Sequence, residues 1–123
     1  MANKRFFIAT VSIFLVLICI MGGLTVFVDP LFHYHSPVDG ISYPLSNQRY
    51  QNYGIVKQFD YNALITGTSM TENFKTSDWE AAFGGQAIKV PFSGSYLKET
   101  SACIQTALES NPQLKYVVRS LDL

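Results

Sequence analysis

Phe6 to Val28 is a run of 23 residues without a single charge, and it constrains this chain more than any other feature. As a helix rising about 1.5 Å per residue it reaches roughly 35 Å, against a bilayer hydrocarbon core of about 30 Å. Slight tilt absorbs the difference. Thr10, Ser12 and Thr25 interrupt the run, and each can return its hydroxyl to the helix backbone. Lys4 and Arg5 precede it and Asp29 follows. That asymmetry predicts a single-pass anchor with a cytoplasmic N-terminus and residues 29 onward outside the cell membrane. The competing reading is a cleaved signal peptide. Its apolar stretch spans about 7–15 residues before an A-x-A-like site; this run is longer and no such site follows. Ile18 before Cys19 is also a poor match to a lipoprotein cleavage site.

Beyond the anchor, 95 of the 123 residues remain, enough for one small domain or part of a larger one. They carry seven Lys/Arg against nine Asp/Glu, a net of −2. A mildly acidic domain is a poor partner for nucleic acid, and its aromatic and β-branched content argues against disorder. Two cysteines, Cys19 and Cys103, exclude a disulfide scaffold and a cysteine-based zinc site. The lipid bilayer is the first expected partner; no metal or other cofactor is expected.

Residues 29–47 hold Pro30, Pro37 and Pro44 and read as an extended juxtamembrane linker. In such a chain His33 and His35 point to one side. With no third ligand cluster in view, an interfacial or packing role suits them better than a metal. Phe32, Tyr34 and Tyr43 suit a membrane–water interface. Residues 48–123 form the domain. A helix is predicted over Ser46–Phe59, with Tyr53, Val56 and Phe59 inward and Gly54 weakening it. Ala63–Thr66 reads as a first strand and Met70–Gly84 as helical material, including a helix over Asp78–Phe83 capped by Ser77. Trp79 and Phe83 read as core. Ala87–Val90 is a second strand and Tyr116–Leu121 a third. Between them Leu97, Ser101, Ile104 and Leu108 recur as one face of a helix from Tyr96 to Ser110. Alternation of strand and helix implies an α/β fold with a parallel sheet, ordered second-first-third. Two crossover helices leave part of such a sheet uncovered. The 123 residues are therefore expected to be the front of a longer protein or a truncated product.

The chemistry-bearing position is Ser69, at the carboxyl end of the first strand, where ligand sites of open α/β sheets lie. A hydroxyl there can face the crevice beside N–H groups that favour an oxyanion. A serine at a helix start is also an ordinary N-cap. Glu72 and Asn73 can line a substrate groove, although Glu72 also suits a helix start as a carboxylate. Arg49 and Asn52 can fold over the crevice or lie on a solvated face. Lys98, Glu99 and Glu109 read as a solvent face.

Ala63-Leu-Ile-Thr-Gly-Thr-Ser-Met-Thr71 resembles the first motif of the SGNH (GDSL-type) hydrolase superfamily, an apolar strand followed by Gly-Asp-Ser-Leu-Thr or similar. Val90-Pro-Phe-Ser-Gly94 is similar to its second motif. The resemblance covers about residues 60–122 and extends to the membrane-anchored, envelope-facing branch, which includes proteins of polysaccharide O-acetylation and teichoic acid D-alanylation. It implies a flavodoxin-like three-layer fold and a serine esterase or acyltransferase acting on an envelope polymer. Ser69 would be the nucleophile and the Ser69 and Gly94 N–H groups oxyanion donors. Thr68 stands where that superfamily usually has Asp. Its third motif, Gly-x-Asn-Asp, meets Ser120-Leu-Asp-Leu123, with Asp122 near the expected Asn. Its fourth, Asp-x-x-His, has no counterpart, so this chain alone is expected to be inactive. The alternative function is a non-catalytic, membrane-anchored envelope protein that binds a glycan or a protein partner. The α/β-hydrolase elbow is a poorer match, because Thr71 replaces its second glycine, and a phosphate-binding loop is excluded, because Gly67-Thr68-Ser69 lacks its lysine and glycine spacing.

Overall fold

The structure is a computed structural model, and it describes residues 2–121; Asp122 lies outside the described residues. A long first helix, α1 (Ala2–Val28), leads into the domain. It is long and apolar enough to cross a membrane, and none of its apolar window packs against the rest of the chain. Thr10 and Thr25 donate their hydroxyls to the carbonyls of Phe6 and Met21, at 3.0 and 2.9 Å. In an apolar surround those bonds remove the penalty of an unpaired hydroxyl.

Helix α2 (Gln48–Gln58) precedes strand β1 (Ala63–Gly67), a 3-10 turn (Ser69–Asn73) and helix α3 (Thr76–Phe83). Strand β2 (Ala87–Pro91), helix α4 (Leu97–Ser110) and strand β3 (Tyr116–Arg119) complete an α/β fold. The three strands form a parallel sheet in the order β2-β1-β3. Ala63 is in register with Ala87 and Tyr116, and Thr66 with Val90 and Arg119. Every residue of the central strand is buried, as its continuous apolar run requires. Leu64 and Val90 join Cys103 and Ala107 of α4 and Ile55 and Val56 of α2 in one cluster. Ile65 and Val118 point the other way, toward Trp79 and Phe83 of α3. Helices α2 and α4 thus cover one face and α3 the other, with the two crossovers on opposite sides.

Several expectations need correction. Segment 29–47 is not an extended linker. Phe32 is buried among Tyr43, Phe59 and the α2 residues. Tyr43 donates its hydroxyl to Val28 O at 2.7 Å, and the Gln51 amide donates to Pro30 O and Pro44 O. Of the three interfacial aromatics, only Tyr34 stays exposed. Asp29 and Phe32 both adopt positive φ, 43° and 55°, a costly conformation for a bulky residue. The buried Asp29 carboxylate holds the turn by accepting the N–H groups of Tyr34 and His35, at 2.6 and 3.1 Å.

The inward face of α2 is Gln51, Asn52, Gly54, Ile55 and Val56, with Tyr53 and Phe59 packed at its border. Gly54 is there for contact: a Cβ would strike the carbonyl oxygens of Leu31 and Phe32. Helix α4 buries Thr100, Cys103 and Ala107, so the Leu97–Leu108 stripe lies to one side, with both leucines exposed. Small side chains face the sheet because the helix lies close to it. Helix α3 begins at Thr76 after an extended Lys75, so Ser77 sits inside its first turn instead of capping it. Phe83 is exposed and Trp79 half-buried, stacked on each other at 4.3 Å instead of entering the core.

Candidate functional site at the carboxyl edge of the sheet

Two loops meet at the carboxyl ends of β1 and β2. Gly67 is in register with Pro91, so Ser69 and Ser93 each stand two residues past a paired position. The Phe92 N–H donates to Gly67 O and the Ser120 N–H to Thr66 O, both at 2.9 Å. The Thr71 and Ser120 hydroxyls bond each other at 2.7 Å. A Cβ on Gly67 would collide with both hydroxyls, and its φ of +152° suits glycine. Gly67 therefore lets β3 close under the turn that carries Ser69.

Ser69 is exposed and opens the 3-10 turn. The first N–H groups of such a turn have no partner within it. The element is five residues long, so the dipole of a long helix is absent here. Thr68 is the N-cap residue but makes no capping bond; its Oγ1 is buried without a partner. Among the described residues none of the hydrogen bonds at this edge involves the Ser69 hydroxyl.

Gly94 is exposed with φ +64°, and a Cβ there would meet nothing. Its requirement is conformational: it turns the chain after Ser93, and the Ser95 N–H closes back on Phe92 O. Glu72 is more than a helix-start carboxylate. Its Oε1 accepts from Gln48 Nε2 at 2.6 Å and from the Ser93 hydroxyl at 2.8 Å. Gln48 Oε1 in turn accepts the Ser93 N–H at 2.9 Å. These bonds from Gln48 and Ser93, with help from Lys89, hold the Glu72 carboxyl below the usual carboxylate range, against the pull of desolvation. Lys89 Nζ also donates to Glu72 O and Phe74 O. Asn73 lies elsewhere, lining a groove with Ile65, Phe74 and Trp79 on the α3 face.

Asn52 is buried and donates to Pro91 O at 2.5 Å, so it braces β2. Arg49 pairs with Glu99 at 2.9 Å, which joins the starts of α2 and α4. Arg119, beyond the residues expected from the sequence, lines a cavity of about 130 Å³ with Thr68, Ser95 and Ser120. Its guanidinium donates to Leu97 O at 2.7 Å and to Ser101 Oγ at 3.1 Å, and it also contacts Thr100 Oγ1. Its position was readable: in β3 it alternates with Val118 and falls at the strand end where sites gather. Both histidines sit far back in the chain. His35 bonds Val26 O and Ser36 O at the end of α1. Among the described residues no three His, Cys, Asp or Glu side chains converge as metal ligands would.

The edge presents an exposed serine hydroxyl, the opening of a 3-10 turn and, in the neighbouring cavity, the Arg119 guanidinium. No family model, curated protein or solved structure matches this chain.

Proposed function

We propose that the chain is a membrane-anchored, outward-facing member of the SGNH-type hydrolases, an esterase or acyltransferase acting on acyl groups of an envelope polymer. In this reading α1 crosses the cell membrane once with its N-terminus in the cytoplasm. The domain is the first part of a flavodoxin-like three-layer fold. Ser69 attacks the acyl carbon, and the N–H groups of Ser69 and Gly94 receive the oxyanion. Thr68 and Glu72 shape the groove. One observation carries the reading: an exposed serine opens the turn after the central strand, beside a glycine loop in the left-handed conformation after the neighbouring strand.

The second reading, a non-catalytic protein that binds an envelope glycan or a protein partner, draws on a different observation. Serine needs an adjacent base to attack at neutral pH, and His35 is bonded to the end of α1. The experiment is labelling with a serine-directed fluorophosphonate of the protein expressed from its native locus, with peptide mapping. The enzyme reading expects a Ser69 adduct that Ser69→Ala removes while the melting curve stays the same. A folded protein that takes up no probe, or labelling that survives Ser69→Ala, sinks it in favour of the second.

A further inference from the structure

A second cavity, of about 320 Å³, lies between α2 and the turn after α1, and neither Ser69, Glu72, Ser93 nor Gly94 lines it. Its walls include Leu31 and His33 from the turn after α1 and Arg49, Tyr50, Tyr53 and Lys57 from α2. The volume is at the small end of the range for small-molecule sites, about 300–1,000 Å³. Its place along the chain is specific. Leu31 is three residues past the end of α1, so it lies at most about 11 Å from Val28. Headgroups occupy roughly 5–8 Å on each side of the hydrocarbon core. If α1 crosses a bilayer, this cavity opens at headgroup level.

We propose that this cavity binds the headgroup of an anionic phospholipid from the outer leaflet. The charge pattern fits. Arg49 engages Glu99 through Nε and Nη2 only, leaving Nη1 without a described partner. Lys57, in the last turn of α2, forms no ion pair among the described residues. The phosphate lies between these two cations, and the glycerol backbone lies against Leu31, Tyr50 and Tyr53. Aromatic residues with one polar end suit this depth. The cavity is preformed: Gly54 lets α2 approach the Leu31–Phe32 backbone closely enough that Phe32 is locked into the core. Occupancy would fix the domain's orientation against the membrane.

The inference rests on the membrane reading of α1, and the test separates the two. The full chain is reconstituted into vesicles of phosphatidylcholine with a minor share of phosphatidylglycerol, extracted gently, and analysed by native mass spectrometry for retained lipid. One phosphatidylglycerol per chain is expected, in preference to phosphatidylcholine. Lys57→Gln lowers its retention about fivefold, as expected for one basic side chain near an anionic surface, and Arg49→Gln adds a similar loss. Lys75→Gln, on the opposite face of the sheet, leaves retention unchanged. Equal retention of both lipids, indifference to Lys57→Gln, or displacement by excess inorganic phosphate overturns the site. A chain that does not enter the vesicles overturns the membrane reading and this proposal together. One that enters but shows no anionic preference overturns only the proposal.

Discussion

The Glu72 carboxylate accepts the Ser93 hydroxyl at 2.8 Å, and this bond ties the turn carrying Ser69 to the loop carrying Gly94. The same oxygen accepts Gln48 Nε2, while Gln48 Oε1 accepts the Ser93 N–H. Three segments distant in sequence are clasped by one carboxylate. The clasp has a pH window with a definite sign. The folded pKa of Glu72 is held below its ordinary 4.5, so its contribution is complete above that value and disappears as pH falls through the lowered one. Protection of the Ser93 amide, its exchange rate taken relative to the intrinsic rate at each pH, should therefore be high at neutral pH and fall in acid. Glu72→Ala should remove the protection at every pH, and unchanged protection in that variant would show that the clasp does not hold the loop.

Gly54→Ala sets two effects against each other. Alanine in a helix interior is favoured over glycine by about 1 kcal/mol. Here the new methyl meets two backbone carbonyl oxygens, which cannot rotate away. Overpacking of this kind costs about 1–3 kcal/mol, so the variant should be the less stable of the pair in chemical denaturation. A more stable variant would mean that the turn at 31–32 yields easily.

The strands and their parallel order were legible because β1 is an unbroken apolar run bounded by glycine, and because right-handed crossovers allow few arrangements. The position of Ser69 at the strand end followed directly. What stayed hidden depended on distances between backbones. The Leu97–Ile104–Leu108 spacing is a proper helical stripe, yet the face that meets the sheet is Thr100, Cys103 and Ala107. Side-chain size at close approach outweighed hydrophobicity there. Phe32 looked interfacial because nothing local reveals that Gly54 opens a seat for its backbone. The Glu72 clasp joins residues 21 and 24 positions apart, a pairing that no short-range pattern encodes.

His35 supplies a second pH dependence, of opposite sign. Its ring bonds the carbonyls of Ser36 and Val26, and these bonds raise its pKa above 6.5 while the Asp29 carboxylate adds to the effect. A raised histidine pKa stabilises the fold fully below 6.5, and that contribution is lost as pH rises through the folded value. Thermal melting of the wild type should fall more steeply between neutral and alkaline pH than that of His35→Ala. The His35 ring protons should titrate above 6.5 by NMR. Parallel melting curves for the two proteins would remove His35 from the account of this turn.

Cys103 is fully buried between α4 and the sheet, and burial pushes its thiol up to about 12. The thiolate is the reactive species, so two independent barriers, access and ionisation, protect it. A water-soluble maleimide at mildly alkaline pH should leave Cys103 untouched in the folded domain and modify it at the rate of global unfolding. Cys103→Ser tests the same surroundings from the other side. It replaces a weakly polar group with a hydroxyl beside Leu64, Val90 and Ala107. A buried hydroxyl costs about 1–3 kcal/mol in mutational terms where it stays unpaired; back-bonding to the Glu99 carbonyl, one turn earlier in α4, recovers only part of that and strains the helix, whereas Cys103→Ala loses only packing. Serine should therefore be the worse replacement despite its closer shape. If serine proves the better tolerated of the two, its bond to the Glu99 carbonyl offsets the whole cost of burial, and the apolar surroundings of position 103 are not what limits the choice of residue there.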